Sequence, residues 1–134
     1  MLFTISQGNI EEASDGQRPL IYLVTTAQAV EASERRFVFT DGHAIMAFTE
    51  FFDTLDRLDA VDWEIMHMNY WHDTAKFPDR KRRRQAEFLV HGHCSWRLIE
   101  EIGVFDQEIQ ARVEREISQV GHKPPVRVRP EWYY

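Results

Sequence analysis

Cysteine is almost missing from this 134-residue chain. Cys94 stands alone, which excludes an internal disulfide and a multi-cysteine zinc site. A single thiol fits a reducing compartment, so a cytoplasmic location is expected. No long uncharged apolar run is present, so no membrane span is expected. The opening Met1-Leu2-Phe3-Thr4-Ile5 lacks a basic n-region, so no signal peptide is read. Cations are outnumbered, with 16 Lys and Arg against 22 Asp and Glu and a net charge of −6. That balance argues against a general nucleic-acid-binding surface, although a local basic groove depends on the patch and not on the sum. Several short catalytic signatures are also missing: no glycine-rich phosphate loop, no GxSxG and no HExxH. What is there suffices for one domain over 1–134, since 43% apolar residues can fill a single core.

Taken in order, the chain alternates short strand and helix signals. Residues 1–5 read as a strand that starts with no polar lead-in, as if an element once preceded it. Residues 6–18 are rich in turn formers and read as a loop. Pro19 to Val24 reads as a buried strand, and Thr25 or Thr26 caps a helix over Ala27–Ala32. Arg36 to Thr40 is a further strand, ended by the turn Asp41-Gly42-His43. Ile45, Phe48, Phe52, Leu55 and Leu58 fall at helical spacing, so a helix is predicted over Ala44–Leu58. Trp63, Met66 and Tyr70 continue an amphipathic pattern, and a loop is predicted over His72–Lys81, with Pro78 barring a continuous helix. Gln85–Val90 reads as the central strand. Ser95 caps a short helical turn, Ile102–Phe105 is strand-like, and Asp106 caps a helix running to about Val120. Val126–Arg129 alternates as a last strand, and Trp132-Tyr133-Tyr134 docks as aromatic mass. No strand–helix–strand unit repeats, which favours an α+β fold.

The chemistry concentrates in Asp79-Arg80-Lys81-Arg82-Arg83-Arg84-Gln85-Ala86-Glu87. Five cations run into a carboxylate that opens an apolar run. Glu87 has two readings. It is either a bland residue, on the solvent face of a strand or in an ion pair with Arg83 or Arg84, or a carboxylate in a partly apolar site that orients a sugar hydroxyl or steadies a cationic transition state. The Arg80–Arg84 run suits a polyanion, because phosphate binding gathers cations and arginine adds a bidentate fork. A nucleic acid is favoured over an acidic protein. His43 is either a turn histidine or a polar group in a cleft. Trp71 is either core or a platform for an unpaired base. His91 and His93 face the same way in an extended chain and could join His72, but nothing fixes a third ligand, and no metal is assigned.

These motifs, with Phe37-Val38-Phe39-Thr40-Asp41-Gly42-His43-Ala44, Phe51-Phe52, Asp62-Trp63, Arg82-Arg83-Arg84-Gln85-Ala86-Glu87-Phe88-Leu89-Val90, Trp96-Arg97-Leu98-Ile99 and Trp132-Tyr133-Tyr134, resemble DarT. That family comprises the DNA ADP-ribosyltransferase toxins of a bacterial toxin–antitoxin pair, and the likeness covers essentially all 134 residues. The resemblance implies an α+β ADP-ribosyltransferase fold, a split β-sheet with flanking helices. It implies transfer of ADP-ribose from NAD+ as co-substrate to thymine in single-stranded DNA. It implies Glu87 as the catalytic glutamate, and His43 and Phe3 near the cofactor. DNA contacts would come from Trp71, Arg80, Lys81, Arg82, Arg83 and Arg84, and the partner would be a DarG-like macrodomain antitoxin.

The family carries a further N-terminal segment with a histidine, a loop that closes over NAD+ and a catalytic arginine. None has a counterpart in these 134 residues, and Phe3 stands in place of a tyrosine in a Met-Leu-Tyr run. The fold is therefore expected to be N-terminally incomplete, and this chain alone to be inactive. The alternatives are a catalytically silent module that holds single-stranded DNA or the antitoxin, and an RNA or tRNA modifier on the same fold.

Overall fold

A computed structural model describes residues 16–68 and 70–133. The expected strand over residues 1–5, and Phe3 with it, lies outside the described residues. The chain divides into two compact units, Met1–Thr26 with Ser95–Tyr134, and Ala27–Cys94.

The first unit is a three-stranded sheet in the order β1-β5-β6. Strand β1 (Tyr22–Val24) runs antiparallel to β5 (Glu101–Val104), with Tyr22 opposite Gly103. Strand β6 (Val126–Val128) runs parallel to β5, so a crossover is required, and helix α4 (Gln107–Glu116) supplies it. Asp106 starts that helix as the sequence predicts: its carboxylate accepts from the Ile109 amide at 3.0 Å. Ile99, Ile102, Val104, Ile109 and Val126 are buried together, with Trp96, Val113 and Ile117 packed on them. Of the C-terminal aromatics, Trp132 and Tyr133 dock as expected, and Tyr134 lies outside the described residues. The Tyr22 hydroxyl donates to the Trp132 carbonyl and the Tyr133 hydroxyl to the Leu20 carbonyl, both at 2.7 Å. Gly103 makes room for the Trp132 ring, since a Cβ there would lie 2.4 Å from it.

The second unit is a three-stranded sheet in the order β3-β2-β4, antiparallel throughout. Strand β2 (Phe37–Thr40) lies between β3 (Phe51–Phe52) and β4 (Phe88–Val90). Alternation along β2 sends Phe37 and Phe39 to one face. Phe37 stacks on Phe88 at 4.9 Å and Phe39 on Phe52 at 5.3 Å between ring centroids. Val61 completes the buried centre, with Leu58, Met66 and Ala86 against it. Short helices α1 (Ala27–Ala32), α2 (Trp63–Met66) and α3 (Arg80–Arg83) belong to this unit. Asp62 caps α2 by accepting from the Ile65 amide at 3.0 Å.

Three expectations are corrected here. The helix over Ala44–Leu58 does not form. Residues 44–48 turn instead, Phe51–Phe52 pair with β2, and a 3-10 segment covers Leu55–Ala60. Ile45 is 80% exposed and Phe48 62%, so the helical spacing does not mark a buried stripe. Pairing Phe52 with Phe39 buries more apolar surface than that helix would. Among the described residues, the strand predicted at the centre of the sheet is at its edge, because β2 has a partner on each side and β4 only one. And the loop predicted over His72–Lys81 gives way at its end to helix α3, which takes in most of the basic run.

Candidate active site

Strand β4 leaves the basic helix at Glu87, and the connection is held by one side chain. Thr40, fully buried at the end of β2, bonds both backbone groups of Glu87. Its amide donates to the Glu87 carbonyl at 3.0 Å, and its Oγ1 accepts from the Glu87 amide at 2.9 Å. The same hydroxyl donates to the Gly42 carbonyl at 2.6 Å. The Glu87 main chain is thereby tied to the Asp41-Gly42-His43 turn. Its carboxylate is exposed, with no ion pair or hydrogen bond among the described residues. The arrangement is a rigid backbone presenting a free carboxylate. Of the sequence readings, the ion pair with Arg83 or Arg84 does not occur, and the expected partly apolar surroundings are corrected, because the side chain is on the solvent face.

Those arginines are engaged elsewhere. Arg82, only 9% exposed, forks onto Asp41 with Nη1–Oδ1 at 3.0 Å and Nη2–Oδ2 at 3.1 Å. Its Nε donates to Asp79 at 2.7 Å. The guanidinium lies against Gly42 so closely that a Cβ would fall 2.3 Å from Nη1. It also lies over the Phe48 ring at 5.2 Å. Burial pushes the Asp41 carboxyl up, but the Arg82 hydrogen bonds and the Glu50 amide outweigh it and hold the group below the usual carboxylate range. Burial likewise acts to lower Arg82, and the bonds to Asp41 and Asp79 overcome it, so the cation is reinforced. The Arg82 carbonyl also accepts from the His43 amide at 3.0 Å. Arg82 thus seats the His43 turn with its main chain and its side chain together.

Arg80, 6% exposed, donates to the His72 carbonyl at 3.1 Å and covers the Phe77 ring at 4.7 Å. Arg84 donates to the Ile65 carbonyl at 3.0 Å and lies over the Trp71 ring at 4.5 Å. Arg83 pairs with Asp62 at 2.8 Å and Asp79 at 3.5 Å. The Ile65 amide first, and then Arg83, hold the Asp62 carboxyl low against the opposing effect of burial. Lys81 is exposed, and its backbone amide bonds Asp73 at 2.9 Å. The five cations of Arg80–Arg84 therefore do not form one surface strip. A helix turns successive side chains about 100° apart, so Arg80 and Arg82 leave it on different sides, and both are buried, Arg80 against the His72 carbonyl and Arg82 against Asp41 and Asp79.

His43 is half-buried. Its Nδ1 is buried and has no hydrogen-bond partner among the described residues. The Thr49 hydroxyl donates to the His43 carbonyl at 2.7 Å, fixing the main chain on the far side of the ring. Thr40, Asp41, Thr49 and Asp79 are missed by motif reading. The one signal in the sequence is indirect: an arginine inside an amphipathic segment must find carboxylates, and Asp41 and Asp79 are the candidates nearest to turns.

The same architecture occurs in known proteins. A model of the family described as DarT, ssDNA thymidine ADP-ribosyltransferase, matches residues 1–134. A DNA ADP-ribosyl transferase of Thermus aquaticus is 43% identical over 136 aligned residues, which take in 100% of this chain and 58% of that protein. Among solved structures, Thermus sp. 2.9 DarT in complex with ADP-ribosylated ssDNA superposes with a TM-score of 0.92 at 38% identity, over 99% of this chain and 63% of that one. The same DarT in complex with NAD+ gives 0.91, again at 38% identity, over 99% and 66%. The chain thus spans between 58% and 66% of the length of these relatives. Its α+β fold is that of the ADP-ribosyltransferases. On the family match over its whole length and on these superpositions, the chain belongs to the DarT family.

Proposed function

We propose that this chain takes part in NAD+-dependent ADP-ribosyl transfer to thymine in single-stranded DNA, with Glu87 as the catalytic residue. The observation that carries the reading is Glu87 itself: an unpaired, exposed carboxylate on a main chain clamped by Thr40. In the reaction the bond from the nicotinamide nitrogen to ribose C1′ breaks and nicotinamide leaves with the electron pair. A base atom of thymine then bonds to C1′ and gives up its proton. Positive charge builds on the sugar between these events. A carboxylate bonded to the ribose 2′-hydroxyl orients the ring and stabilises that charge, at no reorganisation cost where the main chain is already fixed. His43 suits a place beside NAD+, because its buried Nδ1 lacks a partner among the described residues and such a group calls for one. Single-stranded DNA suits the chemistry because no base pair has to be opened. Lys81, Arg83 and Trp71 are the members of the basic segment that supply surface contacts to it. Arg80, Arg82 and Arg84 support those contacts from within. A macrodomain antitoxin that removes the mark is the partner, and the cytoplasm the location, that go with this reading. Among the described residues no helix is long and apolar enough to cross a membrane.

The test is incubation of this chain, alone and mixed with the N-terminal segment of a DarT relative, with labelled NAD+ and thymidine-containing oligonucleotides. Label transfer that drops by roughly 30-fold to 10³-fold in Glu87→Gln, a loss of about 2–4 kcal/mol of transition-state stabilisation, supports the proposal. Oligonucleotide retention without transfer supports the silent binding module instead. Transfer to RNA but not DNA supports the RNA modifier.

A further inference from the structure

Two adjacent cations that motif reading passes over lie just before β2. Arg35 and Arg36 enter β2 after Glu34, whose φ of 57° turns the chain there. Neither arginine forms an ion pair among the described residues. Each meets an imidazole: Arg35 Nη2 lies 3.4 Å from His93 Nε2, and Arg36 Nη2 lies 3.3 Å from His91 Nδ1. The grouping is built by the sheet. Phe37 is opposite Val90, and the His91 amide donates to the Arg36 carbonyl at 2.9 Å, so Arg36 and His91 are the next cross-strand pair. Gly92, at a φ of 79°, then turns the chain so that His93 comes back to Arg35. Arg35, Arg36 and His91 line a cavity of about 560 Å³ together with Val38 and Leu89, and Asp53 is the carboxylate on its wall. Leu89 is 41% exposed on this face.

Glu87, Leu89 and His91 alternate along β4 and its flanks, so they share one face of the sheet. Glu87 and His91 are four residues apart, roughly 13 Å along an extended chain. We propose that Arg35 and Arg36, backed by His91 and His93, form a phosphate subsite for the DNA strand, one that holds a phosphodiester next to the target nucleotide while Val38 and Leu89 receive the neighbouring base. The phosphates of a dinucleotide hang from the reacting ribose itself and so lie closer to Glu87 than this. A strand phosphate beyond the target nucleotide matches the separation, and the apolar strip between the carboxylate and the cations matches a base. This inference rests on the function proposed above.

Binding of a short thymidine-containing oligonucleotide to the 134-residue chain, measured over a range of salt, tests it. The surface double variant Arg35→Gln/Arg36→Gln is expected to bind about tenfold more weakly. Its log K against log salt should be shallower by ~0.7 for each phosphate of a single strand that it no longer neutralises, while Arg36→Lys keeps most of the affinity. Independently of any variant's folding, a neutral methylphosphonate at one linkage beside the target thymine is expected to weaken wild-type binding, and to weaken the double variant no further. Equal affinity and equal salt slope in wild type and double variant would overturn the subsite while leaving the proposed function standing. So would NAD+ displacing the oligonucleotide from wild type but not from the variant, which would assign the cations to the dinucleotide. A wild-type chain that retains no oligonucleotide would sink the proposed function, and this inference with it.

Discussion

Thr40 and Glu87 are joined twice, by a backbone bond of 3.0 Å and by a bond of 2.9 Å to the threonine hydroxyl. Because the same hydroxyl also bonds Gly42 at 2.6 Å, one buried oxygen ties the candidate catalytic carboxylate to the turn that carries His43.

Thr40→Val keeps the shape of the side chain and removes that oxygen. It leaves the Glu87 amide and the Gly42 carbonyl without this partner, a cost of about 1–3 kcal/mol for each buried polar group left unsatisfied. The expected result is a lower denaturation midpoint, with Thr40→Ser restoring most of it. Equal midpoints for valine and threonine would show that the hydroxyl is not structural.

Arg82 makes a second prediction, which separates a DNA contact from an internal brace. Arg82→Ala leaves Asp41 and Asp79 facing a hole. Loss of one partner of a buried ion pair costs up to about 3–5 kcal/mol, reduced here because both carboxylates reach solvent. Arg82→Lys keeps the charge but not the fork, and is expected to fall between alanine and wild type. Urea midpoints check both. An alanine variant as stable as wild type that merely binds DNA less well would return Arg82 to the surface strip.

Acid stability follows from the same pairs. Asp41 and Asp62 have carboxyls held low in the folded chain, in each case despite burial. Their contribution is present above the ordinary aspartate value of about 3.9 and is lost as pH falls below it through the depressed folded values. Asp41→Asn is expected to flatten the fall in denaturation midpoint below about pH 4. An unchanged acid limb would show that Asp41 is not held low.

At the alkaline end, burial pushes the Tyr133 hydroxyl up to about 12, with smaller contributions from Tyr22 and Asp106. A raised folded value means that its contribution is complete below the unfolded value of about 10 and disappears as pH rises from there through about 12. Tyr133→Phe is expected to remove that slope, and to lose the bond to Leu20 at every pH. Spectrophotometric titration of the phenolate, with midpoints across the same range, measures both.

The sheet of the first unit offers a packing test. Gly103→Ala would drive a methyl group into the Trp132 ring, 2.4 Å away. Overpacking of this kind costs about 1–3 kcal/mol. Trp132→Leu in the same chain is expected to relieve part of it, which a double-mutant cycle of melting temperatures reads directly.

Local chemistry was legible in the sequence. Asp106 precedes a segment of helical periodicity, is read as its cap, and caps it. Phe37 to Thr40 carries aromatic and β-branched residues and forms a strand. Glu87 stands at the mouth of the strand where the motif places it. Ala44 to Leu58 was not legible, because apolar residues three and four apart predict a helix only where nothing better is offered. Phe51 and Phe52 find β2, which lies outside any local window. The basic run eluded sequence reading for a related reason. Composition counts charges, but whether an arginine faces a phosphate or a carboxylate depends on what the fold sets beside it. Asp41 lies 41 residues before Arg82 in the chain and 3.0 Å from it in space. The order of residues by itself determined where strands and caps begin, because those depend on neighbours a few positions away. Only the tertiary structure decided which cations are spent inside and which remain for a ligand, because electrostatic pairing acts through distance in space and not along the chain.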